Sequence, residues 1–283
     1  MSDHALEFQV ITAEGRFATA NAKENSDLYW ALKGGGPGAY AVILSTTFAT
    51  FNDLPSAGML LDFNSSHTSD MNLWWSGVRT FNKYSNRFVD AGLYVYYELM
   101  PLRLHVQPLL AINQTAAQLN ATVKPLLDEL DKQGLKYSAE TKEYKTFYDL
   151  YVDLFEDEQA GQSALTGGWA FSRDDVAANN SAIVDAYKTT LDSGGIVIGH
   201  MWTQGQGGVT DSATNPRFRK TTNKVIAALP VTAGVSAADK IKAQDTLTYV
   251  IDAALRRAGP GGCAYVNEVS DPIELEERRH DRA

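Results

Sequence analysis

The chain is poor in what several function classes need. It has one cysteine, Cys263, so no internal disulfide can form and no thiolate-rich metal site can be built. Basic residues are in deficit, 25 Lys and Arg against 34 Asp and Glu, for a formal charge of −9. That balance speaks against nucleic acid, whose phosphates call for clustered cations. No run approaches the roughly 18 apolar residues of a membrane-spanning helix, so no membrane partner is expected. The start, Met1 to Phe8, has neither the basic region nor the apolar run of a secretory leader and passes almost at once into strand-like alternation. What is present suffices for a folded protein: 283 residues at 44% hydrophobic content can bury a substantial core. Four N-x-S/T sequons, at Asn64, Asn113, Asn120 and Asn179, hint at a secretory ancestor.

Along the chain, residues 6–12 and 17–20 read as two strands joined through Glu14-Gly15. Asn25-Ser26 offers an N-cap to a short helix over 27–32. The run Gly34-Gly-Gly-Pro-Gly38 must break that helix, and Tyr40–Phe48, rich in β-branched residues, reads as a buried strand. Met71, Trp74, Trp75, Val78 and Phe81 form a helical stripe, as do Leu119, Val123, Leu126, Leu127 and Leu130, although Pro125 within the second calls for a kink or a restart. Phe147, Leu150, Tyr151 and Leu154 repeat the spacing.

Residues 89–99 and 102–112 read as strands joined at Met100-Pro101, with Arg103, His105 and Gln107 sharing one face. Further strands are expected at 167–173 and 195–203, helices through 183–191 and 237–258, and a final apolar piece at 263–267. Residues 220–229 fit strand or helix, and the charged stretch 274–283 reads as an exposed tail. Direct hairpins and Pro/Gly turns favour an α+β fold, an antiparallel sheet covered by helices.

The glycine run lacks the Gly-Lys-Ser/Thr of a phosphate-cradling P-loop, and it follows a helix and precedes a strand, the reverse of a dinucleotide fingerprint. On spacing alone it marks either a tight turn or a close approach of backbone to a ligand. The longer segment from Glu24-Asn-Ser-Asp-Leu-Tyr-Trp through Gly34-Gly-Gly-Pro-Gly to Thr47-Phe48 nevertheless resembles the end of the FAD-binding domain in fungal FAD-linked oxidoreductases. These form the berberine bridge enzyme-like branch of the vanillyl-alcohol oxidase superfamily. The resemblance continues through Phe147-Tyr-Asp149, Ser172-Arg173, Asn215-Pro-Arg-Phe-Arg219 and Gly261-Gly-Cys-Ala-Tyr-Val-Asn-Glu268, covering about residues 6–272 in order.

The resemblance implies FAD as cofactor and a small organic molecule as substrate, with hydride passing to flavin and electrons to oxygen. Residues 1–54 would be a remnant of the FAD-binding domain, 55–261 the substrate domain, and 262–283 a return segment with the tail. Gly34, Gly35, Gly36, Gly38, Tyr40 and Val42 would lie against the dinucleotide, with Ala39 and Ala41 replacing residues that are often Asn and Gly. Tyr265 matches a tyrosine that assists removal of a substrate proton, and Asn267 a polar residue on the flavin side. A phenol acts as a base only where its surroundings favour loss of its proton.

Gln204 stands where some relatives carry a carboxylate base; an amide orients but does not abstract a proton. Tyr94, Tyr96, His200 and Trp202 are candidates for a substrate pocket. Relatives are longer at the N-terminus, where the pyrophosphate loop and the residues bonding covalently to flavin reside, and nothing before Leu6 matches that stretch. The isolated chain is therefore expected to hold FAD weakly or not at all. A second reading is a flavin-free homologue serving as a small-molecule binder, cyclase or isomerase. Exposed apolar patches are expected near 6–12, 42–48 and 263–266, favouring a homo-oligomer or a complementing FAD-domain fragment as partner.

Overall fold

The computed structural model describes residues 1–64, 66, 68–155, 164–204, 211–232 and 234–268. Gly205–Gly208 and the charged tail lie outside the described residues. The chain divides into two compact units, Met1–Asn52 with Thr203–Lys220, and Asp53–Trp202 with Thr221–Ala283.

The first unit is built on β1 (Ala5–Ile11), β2 (Phe17–Asn21), α1 (Ser26–Leu32) and β3 (Val42–Phe48). The strands form an antiparallel sheet in the order β2-β1-β3. The β1–β2 hairpin turns at Gly15, whose φ of 77° lies where glycine has no steric penalty. Phe8, Val10, Ala20 and Leu32 make the small core under α1. Asn25 precedes α1 without capping it: it is left-handed, at φ 47°, and its Nδ2 donates to the Thr19 carbonyl at 2.7 Å. Strand β3 is not buried as expected. It is an edge strand paired only with β1, and Val42 and Leu44 are 64% and 55% exposed. An ion pair from Arg219 to Asp3, 2.8 Å on each of two nitrogens, ties the returning segment to the N-terminus.

The second unit holds β4 (Ser56–Asn64), α2 (Met71–Lys83), α3 (Ser85–Asp90), β5 (Tyr94–Met100), β6 (Arg103–Ile112), α4 (Ala116–Gln133), β7 (Ser138–Tyr144), α5 (Phe147–Leu154), β8 (Ala164–Ser172), α6 (Arg173–Asp192), β9 (Ile196–Met201), β10 (Thr221–Pro230), α7 (Ala237–Asp245) and α8 (Ala253–Ala258). A π-helical stretch, Thr246–Asp252, joins the last two into one rod. Seven strands form a single antiparallel sheet in the order β7-β4-β6-β5-β9-β10-β8. The α+β architecture predicted from hairpins and turns is the one observed.

Strand alternation decides which side is core. In β5, Val95, Tyr97 and Leu99 are buried while Tyr94, Tyr96 and Glu98 are only half-buried. The inward set packs with Trp74, Val78 and Phe81 of α2 and with Val123, Leu126 and Leu130 of α4 in one hydrophobic core. Each such side chain contributes on the order of 2 kcal/mol by leaving water. Pro125 does not break α4; the carbonyl it leaves without an intrahelical donor is that of exposed Ala121, which water can satisfy. Residues 85–90, partly expected as strand, form α3, in which Ser85, Phe88 and Val89 bury together at i, i+3 and i+4.

The core also contains a polar knot. The Tyr97 hydroxyl donates to Asn223 Oδ1 at 3.1 Å and lies 3.3 Å from the Tyr187 hydroxyl, and Asn223 Nδ2 donates to Asn82 Oδ1 at 2.8 Å. Burial pushes the Tyr97 phenol up to about 12 and raises that of Tyr187 well above its ordinary value, so both remain neutral donors. Tyr97 reaches Asn223 by lying across Gly199 of β9, where a Cβ would overlap its ring.

Candidate functional site

The sheet face turned away from α2, α4 and α6 carries the polar residues of the strands. Along it, Tyr96 of β5 stands directly across from His200 of β9, and His200 directly across from Lys224 of β10. Cross-strand partners share a face, so register alone lines these three up. The Tyr96 and His200 rings meet edge to face at 5.1 Å, and the Tyr94 hydroxyl lies 2.8 Å from His200 Nδ1. Tyr96 donates to Glu98 Oε1 at 3.1 Å. Burial, reinforced by the Lys224 ammonium, lowers the His200 imidazole to about 4. It is therefore uncharged at neutral pH, a hydrogen-bonding group and not a cation.

One end of this row is roofed by the segment after α8. Cys263 bridges Ala170 of β8 through two backbone hydrogen bonds, 2.8 and 3.1 Å, and brings the chain back over the sheet. Gly262 permits this, since a Cβ there would meet the Trp169 indole and the Ala170 carbonyl. The turn Val266–Glu268 then places Glu268 2.9 Å from Lys224 Nζ, and Lys224 Nζ 4.3 Å from the centre of the Tyr265 ring. Asn267 Nδ2 donates to the Tyr265 hydroxyl oxygen at 2.8 Å. Ion pair, cation–π contact and bridge together fix the phenol above β10.

At the other end α5 covers β4, β6 and β7 through Leu150 and Leu154, which pack on Leu110 and Tyr144. Phe155, just past the helix, stacks on Tyr94 with ring centres 6.4 Å apart. Beyond it, Arg103 Nε donates to Asp62 Oδ2 at 2.6 Å, and His105 Nε2 lies 2.7 Å from Gln107 Oε1. The Asp62 carboxyl, although burial raises it, is held below its ordinary value by hydrogen bonds from Arg103, Asn64 and His105.

Tyr94, Tyr96, His200, Tyr265 and Asn267 thus come together on one face. Trp202 follows β9 with its N–H on the Thr222 carbonyl at 3.2 Å and its side chain partly exposed. Gln204 sits half-buried in a turn belonging to the first unit. Lys224 and Glu268 were not anticipated. A lysine within an otherwise uncharged strand, Thr221–Pro230, was the available signal.

The glycine run belongs to the first unit and splits in two. A Cβ on Gly34 would overlap Thr214, and one on Gly35 would stand 2.6 Å from the Ala31 carbonyl, so internal packing explains both. Gly36, at φ 83°, and Gly38 have nothing within 4 Å of such a Cβ, and Tyr40 and Val42 are about half-exposed or more. An open backbone turn flanked by exposed side chains fits one flank of a dinucleotide cradle. Among the described residues no cluster of metal-ligating side chains occurs, and no helix is long and apolar enough to cross a membrane.

FAD-linked oxidoreductase ZEB1 of Gibberella zeae is 30% identical over 271 residues, 94% of this chain and 47% of that protein. The crystal structure of the VAO-type flavoprotein MtVAO615 from Myceliophthora thermophila superposes with a TM-score of 0.86 at 24% identity, over 95% of this chain and 50% of its own. The chain's homologues are fungal FAD-linked oxidoreductases and VAO-type flavoproteins. Berberine bridge enzyme-like 1 of Physcomitrella patens shares the VAO-type fold at a TM-score of 0.73 and 15% identity, over 95% of this chain and 58% of its own. No protein-family model matches the chain. It spans about half the length of the curated FAD-linked oxidoreductases it matches.

Proposed function

We propose that this chain forms the substrate side, and one flank of the flavin cradle, of an FAD-dependent oxidase acting on a small organic molecule, with oxygen as the final acceptor. In this reading residues 1–54 are the end of an FAD-binding domain, 55–261 the substrate domain, and the segment from 262 a return towards the flavin. The observation that carries it is the row Tyr96–His200–Lys224 with Tyr265 and Asn267 fixed above one end.

When FAD is bound, it accepts the hydride and passes electrons to oxygen. The chain's own residues have separate tasks. Gly36, Gly38, Tyr40 and Val42 hold the dinucleotide by backbone approach and apolar cover. Tyr265 contacts the substrate hydroxyl and, having first given up its own proton to water, takes the proton of that hydroxyl, its oxygen oriented by Asn267. Neutral His200 and Tyr94 orient the substrate over the sheet without adding charge. Gln204 serves at most to orient.

The test is anaerobic mixing of the FAD-supplemented protein with small alcohols while the flavin absorption band is followed. Complemented by an FAD-domain fragment, the wild-type chain should bleach the band. Tyr265→Phe should slow bleaching by a factor of about 10² to 10⁴, the usual worth of a positioned proton acceptor, without weakening FAD binding. Bleaching at an undiminished rate in Tyr265→Phe would remove Tyr265 from the chemistry.

A further inference from the structure

Between α8 and Tyr265 the chain makes a turn, Gly259-Pro-Gly-Gly-Cys263, in which each backbone N–H has an acceptor. Gly259 donates to the Leu255 carbonyl at 3.2 Å, Gly262 to the Gly259 carbonyl at 3.1 Å and Cys263 to the Ala170 carbonyl at 3.1 Å. Gly261 donates to Asp175 Oδ1 at 3.2 Å, and Pro260 has no N–H to give. The Gly259 carbonyl also accepts from Trp169 Nε1 at 2.7 Å, so both of its lone pairs are used. The turn's glycines are there for space, since none of them lies at positive φ. A Cβ on Gly259 would overlap the Phe171 ring, and one on Gly261 would press on Ser172 Oγ, just as one on Gly262 would meet the Trp169 indole.

Two of these holds come from buried side chains, Trp169 of β8 and Asp175 of α6. Asp175 is the N3 residue of α6 and completes a capping box with Ser172. That box occupies Oδ2 alone, which takes the Ser172 N–H at 3.1 Å and its hydroxyl at 2.6 Å. Oδ1 is turned to Gly261 instead, so one carboxyl ties the head of α6 to the return turn. Beyond the turn burial gives little support: Tyr265 and Val266 are 38% and 63% exposed. The contacts there, with Lys224, Asn267 and Glu268, belong to the site itself. A segment with so few buried contacts opens readily unless its root is fixed. Cys263 and Tyr265 are separated by at most about 7 Å of chain, so the placing of the turn sets the placing of the phenol.

We infer that Trp169 and Asp175 are positioning residues for Tyr265: by holding Gly259 and Gly261 against β8 and the head of α6, they set where the phenol stands over Lys224. The consequence for the reaction rests on the reading of Tyr265 as the group that takes the substrate proton; the placement does not.

The test reads the place of the phenol without flavin. Lys224 Nζ lies over the Tyr265 ring, so ring current moves the Lys224 side-chain proton resonances upfield in NMR of the full chain, and Tyr265→Leu gives their unmoved position. Trp169→Phe, which removes one N–H donor, and Asp175→Ala should each lose most of that displacement. Ser172→Ala removes the capping hydroxyl and leaves the Asp175–Gly261 bond; it should lose stability to urea and keep the displacement. Should Asp175→Ala fail to fold, Trp169→Phe decides alone. A displacement retained in Trp169→Phe would overturn the inference, and so would an equal loss in Ser172→Ala, which would make the effect one of stability. In the bleaching assay with the FAD-domain fragment, Trp169→Phe should be about 10- to 100-fold slower than the wild-type chain, the effect of a misplacement of about 1 Å. Added to Tyr265→Phe it should slow bleaching by no more than about twofold, because a residue that acts through the phenol hydroxyl then has nothing left to act on. A lost displacement with undiminished bleaching would leave the placement standing and remove Tyr265 from the chemistry.

Discussion

At His200, burial and the neighbouring Lys224 ammonium act in the same direction, and the imidazole falls from an ordinary 6.5 to about 4. Between those two values the unfolded chain binds a proton that the folded chain refuses, so stability rises with pH across the window and is lost as pH falls from about 6.5 towards 4. The whole effect amounts to at most about 3 kcal/mol. Urea unfolding at pH 7 and pH 4.5 should show a larger loss in the wild-type chain than in His200→Gln, which keeps a hydrogen-bonding group beside Tyr94 and cannot titrate. Equal losses in the two proteins would mean that His200 is not the group responsible. Lys224→Met removes the second cause alone, and the imidazole resonances should then titrate at higher pH in NMR.

Among the elements, the helices and the central hairpin were the most legible. The stripe at Met71, Trp74, Val78 and Phe81 has one physical solution, a helix on a core, and α2 is that helix. Strand β7 was not legible: Ser138–Tyr144 is mostly polar and, apart from Thr141 and buried Tyr144, exposed at an edge of the sheet, so no alternation marks it. Strand β3 was read as a strand and wrongly as buried, because β-branched composition reports backbone preference and not what covers it. The site divided in the same way. Alternation placed Tyr94 and Tyr96 together and set His200 beside Trp202, but Lys224 and Glu268 meet through pairing of segments far apart in sequence, which no local pattern encodes.

Gly199 is the clearest long-range case, since it is needed only because Tyr97 of a neighbouring strand crosses it towards Asn223. Gly199→Val should cost about 3 kcal/mol or more by overpacking and by unseating the buried Tyr97–Asn223 bond. Gly15→Ala, where a Cβ meets nothing and only the positive φ is strained, should cost about 1 kcal/mol. Chemical denaturation of both variants measures the contrast, and similar losses would show that the Tyr97 crossing does not constrain β9.

On the scale of the whole molecule, apolar surface is concentrated where the three-stranded sheet is thinnest. Leu6, Phe17, Val42 and Leu44 are each more than half exposed, and β3 contains no charged residue or proline from Val42 to Phe48. Natural edge strands that remain solitary are blunted by lysine, proline or a bulge on the edge. The β1–β3 ladder contains two register shifts, the first with its extra residue, Leu6, on β1 and the second with its extra residue, Leu44, on β3, so β3 is bulged at Leu44 while its rim on either side carries neither lysine nor proline. Such a rim recruits another strand, and apolar side chains at alternate positions add burial worth roughly 25 cal/mol for each Å² covered. The purified chain should therefore self-associate at micromolar concentration, and a Val42→Lys, Leu44→Glu double variant should shift it towards monomer in light scattering. Both substituted side chains are exposed, so the change leaves the core of Phe8, Val10 and Leu32 untouched and folding can be checked independently by circular dichroism. A wild-type chain that is strictly monomeric, or a double variant that associates as strongly, would show that something other than β3 governs this surface.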